Sequence, residues 1–145
     1  MNTQLKDLIE KLNQDLAAEY QAVIMYNTYA AGVLGEHRQQ LRELFLQEIP
    51  DEMEHAKYLA DKIVALEGNP TLSIGKVPKA ENDCEMLENV LKAEAETIQR
   101  YGQRRLEAEE IGDLALMNDL EEMISDETRH KEECEKILRG FIPKI

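Results

Sequence analysis

Two Glu-x-x-His motifs carry the chemistry this chain can do. Glu52-Met53-Glu54-His55 is one, and Glu127-Thr128-Arg129-His130 is the other. A further Glu stands 33 residues ahead of each: Glu19 before Glu52, and Glu94 before Glu127. The halves are one pattern repeated at an offset of 75 residues, which also maps Tyr26 onto Tyr101 and Asp51 onto Asp126. Four carboxylates and two imidazoles suit a pair of iron ions, with manganese as the alternative, and not a metal that prefers thiolates. An i, i+3 spacing puts Glu and His on one face of a helix, so that the Glu can bridge two metals while the His binds one.

The competing reading is a polar core network, or surface Glu in a Glu-rich chain. A single Glu-x-x-His arises easily in such a chain. Two in the same Ile-x-Asp-Glu-x-x-His frame, Ile49 to His55 and Ile124 to His130, do not, and the motifs use two of only three histidines. The third, His37, reads as a surface residue near a helix start. Asp51 and Asp126 directly precede the bridging Glu residues. A carboxylate often takes the free N–H of a metal-binding His and fixes its tautomer, so Asp51 is expected opposite His130 and Asp126 opposite His55. Tyr26 and Tyr101 lie two turns beyond Glu19 and Glu94 on the same faces. Their hydroxyls are placed to hydrogen-bond a metal carboxylate or to give an electron to an oxidised site; ordinary core tyrosines are the alternative.

Four long helices must position these groups. The first is expected from about Thr3 to Val33, with Leu5, Leu8, Leu12, Leu16, Val23, Tyr26, Ala30 and Val33 in steps of three and four. Glu19 falls on that stripe. The second runs from about Glu36 to Glu67 on a face set by Leu41, Phe45, Leu59, Ile63 and Leu66; Pro50 should kink or bulge it, and Gly68 should stop it. Residues 68–81 form the one long linker. Asn82 caps the third helix with Glu85 as its capping-box partner. Cys84, Leu87, Leu91, Ile98 and Tyr101 mark its buried face, which carries Glu94. The fourth follows Gly112-Asp113, buries Leu116, Leu120, Met123, Cys134 and Ile137 along with Glu127 and His130, and ends at Gly140. Short turns join the first helix to the second and the third to the fourth, so the linker must cross the length of the bundle. The expected fold is all-α, an antiparallel four-helix bundle in one domain, 1–145.

A net charge of −13 disfavours nucleic acid and anionic membranes as partners and draws cations. No apolar run approaches a membrane span, and the N-terminus lacks a signal-peptide layout, so a cytoplasmic protein is expected. Cys84 and Cys134 form no C-x-x-C site and sit at heights that make a disulfide marginal, so both are expected as thiols.

From Leu5 to about Leu138 the chain resembles the ferritin-like di-iron superfamily, and within it the bacterioferritins, most plainly over Ile49-Pro-Asp-Glu-Met-Glu-His-Ala-Lys-Tyr-Leu-Ala-Asp-Lys-Ile-Val-Ala-Leu-Glu-Gly-Asn-Pro70. The resemblance implies that Glu19 and His55 bind one iron and Glu94 and His130 the other, with Glu52 and Glu127 bridging. It implies oxidation of Fe²⁺ by O₂ or H₂O₂, for iron storage or detoxification, in a homo-oligomer of at least two copies. Met53 matches the position that supplies a haem ligand from each of two subunits; a surface methionine is the alternative. Two departures stand out. The family's short fifth helix has no counterpart in Phe141–Ile145, so a closed storage shell is not implied. The Glu-x₆-Tyr spacing in both halves looks like the rubrerythrins, which reduce peroxide, yet Thr97 stands where they carry an additional metal-binding Glu. The functions in competition are thus a storage ferroxidase, a di-iron peroxidase or oxidase served by an external electron donor, and a non-enzymatic bundle with a vestigial site.

Overall fold

A computed structural model describes residues 2–141. Its helices are α1 (Thr3–Gly32), α2 (Arg38–Ala65), α3 (Asp83–Glu110) and α4 (Leu114–Phe141). The described residues form no strand, and the chain is an all-α four-helix bundle. None of these helices is long and apolar enough to cross a membrane. α1 packs along α2 and α3 along α4. α1 and α3 also face each other, and α2 and α4 meet only briefly.

The starts of the helices follow from their caps. Asn2 accepts a hydrogen bond from the Leu5 amide at 2.7 Å and Asp113 one from Leu116 at 3.0 Å, meeting donors that have no partner inside the helix. Asn82 does the same for Glu85 at 3.0 Å. The returning Glu85 carboxylate takes the Glu81 amide at 2.6 Å instead of Asn82's, so the expected capping box closes one residue early.

α2 continues through Pro50, an exposed position. Two expectations about breaks are corrected. The residue that reverses the chain after α2 is Glu67, with φ 69°, and not Gly68. Gly68 is needed because the chain passes close to its neighbours: a Cβ there would stand 2.6 Å from Ile9 Cγ2 and 3.1 Å from Ile63 Cγ2. Gly68→Ala is expected to destabilise the fold by about 1–3 kcal/mol, read as a lower urea midpoint at unchanged slope. Gly140 is helical, since α4 continues to Phe141. The expectation about a fifth helix falls on residues 142–145, which lie outside the described ones.

The linker is strapped along α1 by three side chains at eight-residue spacing. Asn13 bonds the Asn69 carbonyl and the Thr71 amide at 3.0 and 2.8 Å. Gln21 donates to the Lys76 carbonyl at 2.7 Å and Tyr29 to the Pro78 carbonyl at 2.6 Å. Cys84 and Cys134 are free thiols, half-buried and buried respectively. His37 is exposed, its ring 4.5 Å from that of Phe141.

The apolar core has two lobes. One holds Tyr26, Phe45, Leu87, Val90 and Cys134; the other holds Leu12, Leu16, Leu59, Tyr101 and Leu120. The layer between them comes from Glu19, Glu52, His55, Glu94, Glu127 and His130, each no more than 6% exposed.

Candidate metal centre

Each helix contributes to this layer from its buried stripe. α1 brings Glu19 and α3 brings Glu94; α2 brings Glu52 and His55, and α4 brings Glu127 and His130. Ligand atoms of Glu19, Glu52, His55 and Glu127 lie within 4.8 Å of one another, as do those of Glu52, Glu94, Glu127 and His130. Glu52 and Glu127 belong to both groups, which is the position a bridging carboxylate must occupy.

The repeat in sequence becomes a pairing in space, and every partner comes from the other half. Tyr26 donates its hydroxyl to Glu94, and Tyr101 donates to Glu19. His55 Nε2 lies 3.0 Å from Asp126 Oδ2, and His130 Nε2 lies 3.0 Å from Asp51 Oδ2. With Nε2 engaged, Nδ1 of each imidazole turns inward, 3.0 Å from Glu127 for His55 and 3.2 Å from Glu52 for His130.

This layer is unsatisfied as it stands. Seven buried side-chain N or O atoms make no hydrogen bond of good geometry among the described residues, even where, as for His55 Nδ1 with Glu127 and His130 Nδ1 with Glu52, a charged neighbour stands within 3.2 Å. Six are Glu19 Oε2, Glu52 Oε1, His55 Nδ1, Glu94 Oε2, Glu127 Oε1 and His130 Nδ1, one atom from each expected ligand. Buried polar atoms in native proteins nearly always have partners. Six orphans converging on one layer mark room for cations, and this donor set fits two divalent ions that offset four carboxylates.

The ionisation of the metal-free layer shows the same tension. Burial, reinforced by the charges of Glu19 and Glu127, holds the Glu52 carboxyl well above its ordinary range. Burial also raises Glu127. For Glu19 burial acts upward too, but hydrogen bonds with Glu52, His55 and Tyr101 outweigh it and bring the group below the usual value. Burial alone would lower His55, yet Glu127, Glu19 and Asp126 together push it up to about 11. His130 is raised against burial chiefly by Glu48 and by the charge of Glu127. Tyr26 and Tyr101 rise well above the usual phenol value, first through burial, and stay neutral donors.

Two features went unread in the sequence. Glu48 pairs with His130 Nε2 beside Asp51, while its repeat mate is Met123, so the two histidines are not equivalently held. The signal was available: Glu48 precedes Glu52 by one helical turn on the same face. The other is a buried ion pair one turn below Glu19. Asp15 is fully buried and takes Arg104 Nε and Nη2 at 2.7 and 3.1 Å. Met53 lies on the outer side of α2, 38% exposed, and takes no part in the layer.

The chain is similar to known proteins. Residues 9–141 match the family model described as ferritin-like domain. The chain is 29% identical over 124 residues to a bacterioferritin of Brucella melitensis and 28% over 129 residues to one of Rhodobacter capsulatus; each match covers 85% of this chain and 77% of the relative. A crystal structure of a ferritin-like, diiron-carboxylate protein from Bacillus anthracis superposes with a TM-score of 0.94 at 48% identity, over 95% of this chain and 99% of that one. With the family model spanning nearly all the described residues, the chain belongs to the ferritin-like di-iron superfamily, on the bacterioferritin side of it.

Proposed function

We propose that this protein is a ferroxidase that oxidises Fe²⁺ with O₂ or H₂O₂ in iron storage or detoxification, as a one-domain, cytoplasmic homo-oligomer. The observation that carries this reading is the set of six orphaned ligand atoms in one buried layer. Fe²⁺ is the substrate. Glu19 and His55 receive one ion, Glu94 and His130 the other, and Glu52 and Glu127 span both. Two ferrous ions each give up one electron, and one hydrogen peroxide takes both with two protons, leaving two ferric ions and two waters. Asp126 and Asp51 hold the tautomer that turns Nδ1 of His55 and His130 inward. Asp126→Asn is expected to weaken Fe²⁺ binding by about 10–100-fold in an anaerobic titration.

A second reading is favoured by the paired tyrosines. Tyr26 and Tyr101 each donate to a terminal carboxylate, in both halves alike. That suits a peroxidase or oxidase that keeps its irons and draws electrons from a donor protein, the tyrosines relaying charge. Iron is the ion in either reading, with manganese as the alternative. Met53, 38% exposed, is either a plain surface methionine or a ligand to a haem shared between two copies, and a Soret band lost in Met53→Ala would mark the second.

Aerobic loading of the metal-free protein with Fe²⁺, followed by iron counting after desalting, separates the two functions. Tens of soluble irons per chain are expected for storage. A plateau at about two would overturn storage and leave the peroxidase or oxidase. His130→Ala or Glu94→Ala should abolish rapid ferrous oxidation under both.

A further inference from the structure

The two halves of the metal layer are tied down differently. In one, Tyr101 of α3 donates to Glu19 of α1; in the other, Tyr26 of α1 donates to Glu94 of α3. Asp15 stands one turn before Glu19 on the same face of α1, and Arg104 stands three residues beyond Tyr101 on α3. These two side chains meet in a two-pronged bond, Arg104 Nε to Asp15 Oδ2 at 2.7 Å and Nη2 to Oδ1 at 3.1 Å. Beside the Tyr101–Glu19 bond there is thus a second tie between the same helices. A third follows it: Arg104 Nη1 donates to Glu107 at 2.9 Å, and Glu107 pairs with Lys11 of α1 at 3.3 Å. A planar guanidinium held on both edges has little freedom left.

The internal repeat shows what the fold alone requires there. The mates of Asp15 and Arg104 are Val90 and Tyr29, both buried in the apolar lobe on the Glu94–Tyr26 side. Tyr29 bonds Pro78 and Asn89, neither of them a ligand. An apolar pair therefore serves the fold at that level, and a buried ion pair is seldom more stable than a well-packed apolar one. Stability is then a poor reason for Asp15 and Arg104. The surroundings of the two terminal carboxylates differ as well. A cavity of about 40 Å³ between α1 and α3 has Glu52, Glu94 and Glu127 among its walls, but not Glu19. Glu94 has open space beside it, whereas Glu19 has a clamp.

We propose that Asp15 and Arg104 are positioning residues for Glu19. They fix the spacing of α1 and α3 beside the Tyr101 hydrogen bond and so hold the Glu19 carboxylate in place to receive its ion. A carboxylate whose orientation is set before the ion arrives loses less entropy on binding it. Glu94, without such a clamp and with room beside it, is the carboxylate free to shift. The inference rests on the di-metal reading above and separates its two positions.

The test removes both charges of the pair together, since either one left alone would be buried without its partner. In the full chain, Asp15→Leu combined with Arg104→Met is expected to keep the metal-free urea midpoint at or above that of wild type. Arg100, which lies 3.3 Å from Asp15, is 29% exposed and can turn to solvent, and Glu107 keeps Lys11. Metal-free crystals equilibrated with a series of Co²⁺ concentrations then give the occupancy of each position separately, from anomalous scattering. Co²⁺ at Glu19–His55 is expected to bind about tenfold more weakly than in wild type, and Co²⁺ at Glu94–His130 to stay within about twofold. Should the double variant fail to fold, Arg104→Lys serves as the test: it keeps the charge, loses the two-pronged grip and should weaken the same position alone. Equal losses at both positions, the mark of a merely structural pair, or no loss at either, would overturn the proposal. A wild-type protein that bound no pair of Co²⁺ ions would overturn the di-metal reading itself.

Discussion

Glu52→Gln is expected to weaken binding of a metal pair by more than about 100-fold and, in the same protein, to raise the stability of the metal-free fold. Glu52 belongs to both ligand groups, so its loss removes a donor from each ion and one of four offsetting charges. The stability gain follows from its ionisation. Burial, and then the charges of Glu19 and Glu127, hold the folded Glu52 carboxyl well above its ordinary range, so folding shifts it toward the protonated form relative to the unfolded chain. Folding must therefore take up a proton at a cost. Gln resembles the protonated form and removes that cost, a gain of about 1–3 kcal/mol, visible as a higher urea midpoint without metal. An ordinary core substitution goes the other way, with loss of stability as the commonest result. A Glu52→Gln protein that was less stable without metal, or that bound two ions as tightly as wild type, would show that Glu52 serves the fold and not a site.

The second large effect is metal-linked stability. At a hundredfold excess over Kd, two sites add about 5 kcal/mol, or roughly 10–20 °C in Tm for a chain of this size. The increment should grow as pH rises. In the metal-free fold Glu52, Glu127, His55 and His130 all hold protons above their unfolded values, His55 up to about 11. Stability from such groups is complete below their unfolded values, near 4.5 for the carboxyls and 6.5 for histidine, and is lost as pH climbs through the folded ones. Metal must displace the same protons, so its affinity strengthens over that window. Anaerobic melts with and without Fe²⁺ at pH 6 and pH 8 should show the larger increment at pH 8. An increment that shrank with pH would mean that the metal binds elsewhere, at groups already free of protons.

The sequence was most legible where a pattern repeats. An offset of 75 residues carried six ligands, two tyrosines and two aspartates. Helical periodicity alone then required the four stripes to meet. The crossed pairings of Asp51 with His130 and Asp126 with His55 were readable because the repeat had to become a two-fold arrangement. What breaks the repeat was hidden. Asp15 and Arg104 have Val90 and Tyr29 as mates, so no internal echo flagged them, and a buried ion pair between α1 and α3 depends on packing that no local window contains. Glu48 has Met123 as its mate, so the repeat did not flag it, although its spacing of one turn before Glu52 was a local signal. Chain breaks were read too literally from residue type. Gly68 matters for the room beside Ile9 and Ile63, not for its backbone angles.

Anaerobic titration of the metal-free wild-type chain with Fe²⁺, counting bound metal and released protons together, tests the buried layer most directly. Saturation at two ions per chain with proton release, both lost in Glu52→Gln and Glu127→Gln, is the expected result. Binding of one ion or none, or two ions held equally well by both variants, would contradict a paired metal site built from Glu19, Glu52, His55, Glu94, Glu127 and His130.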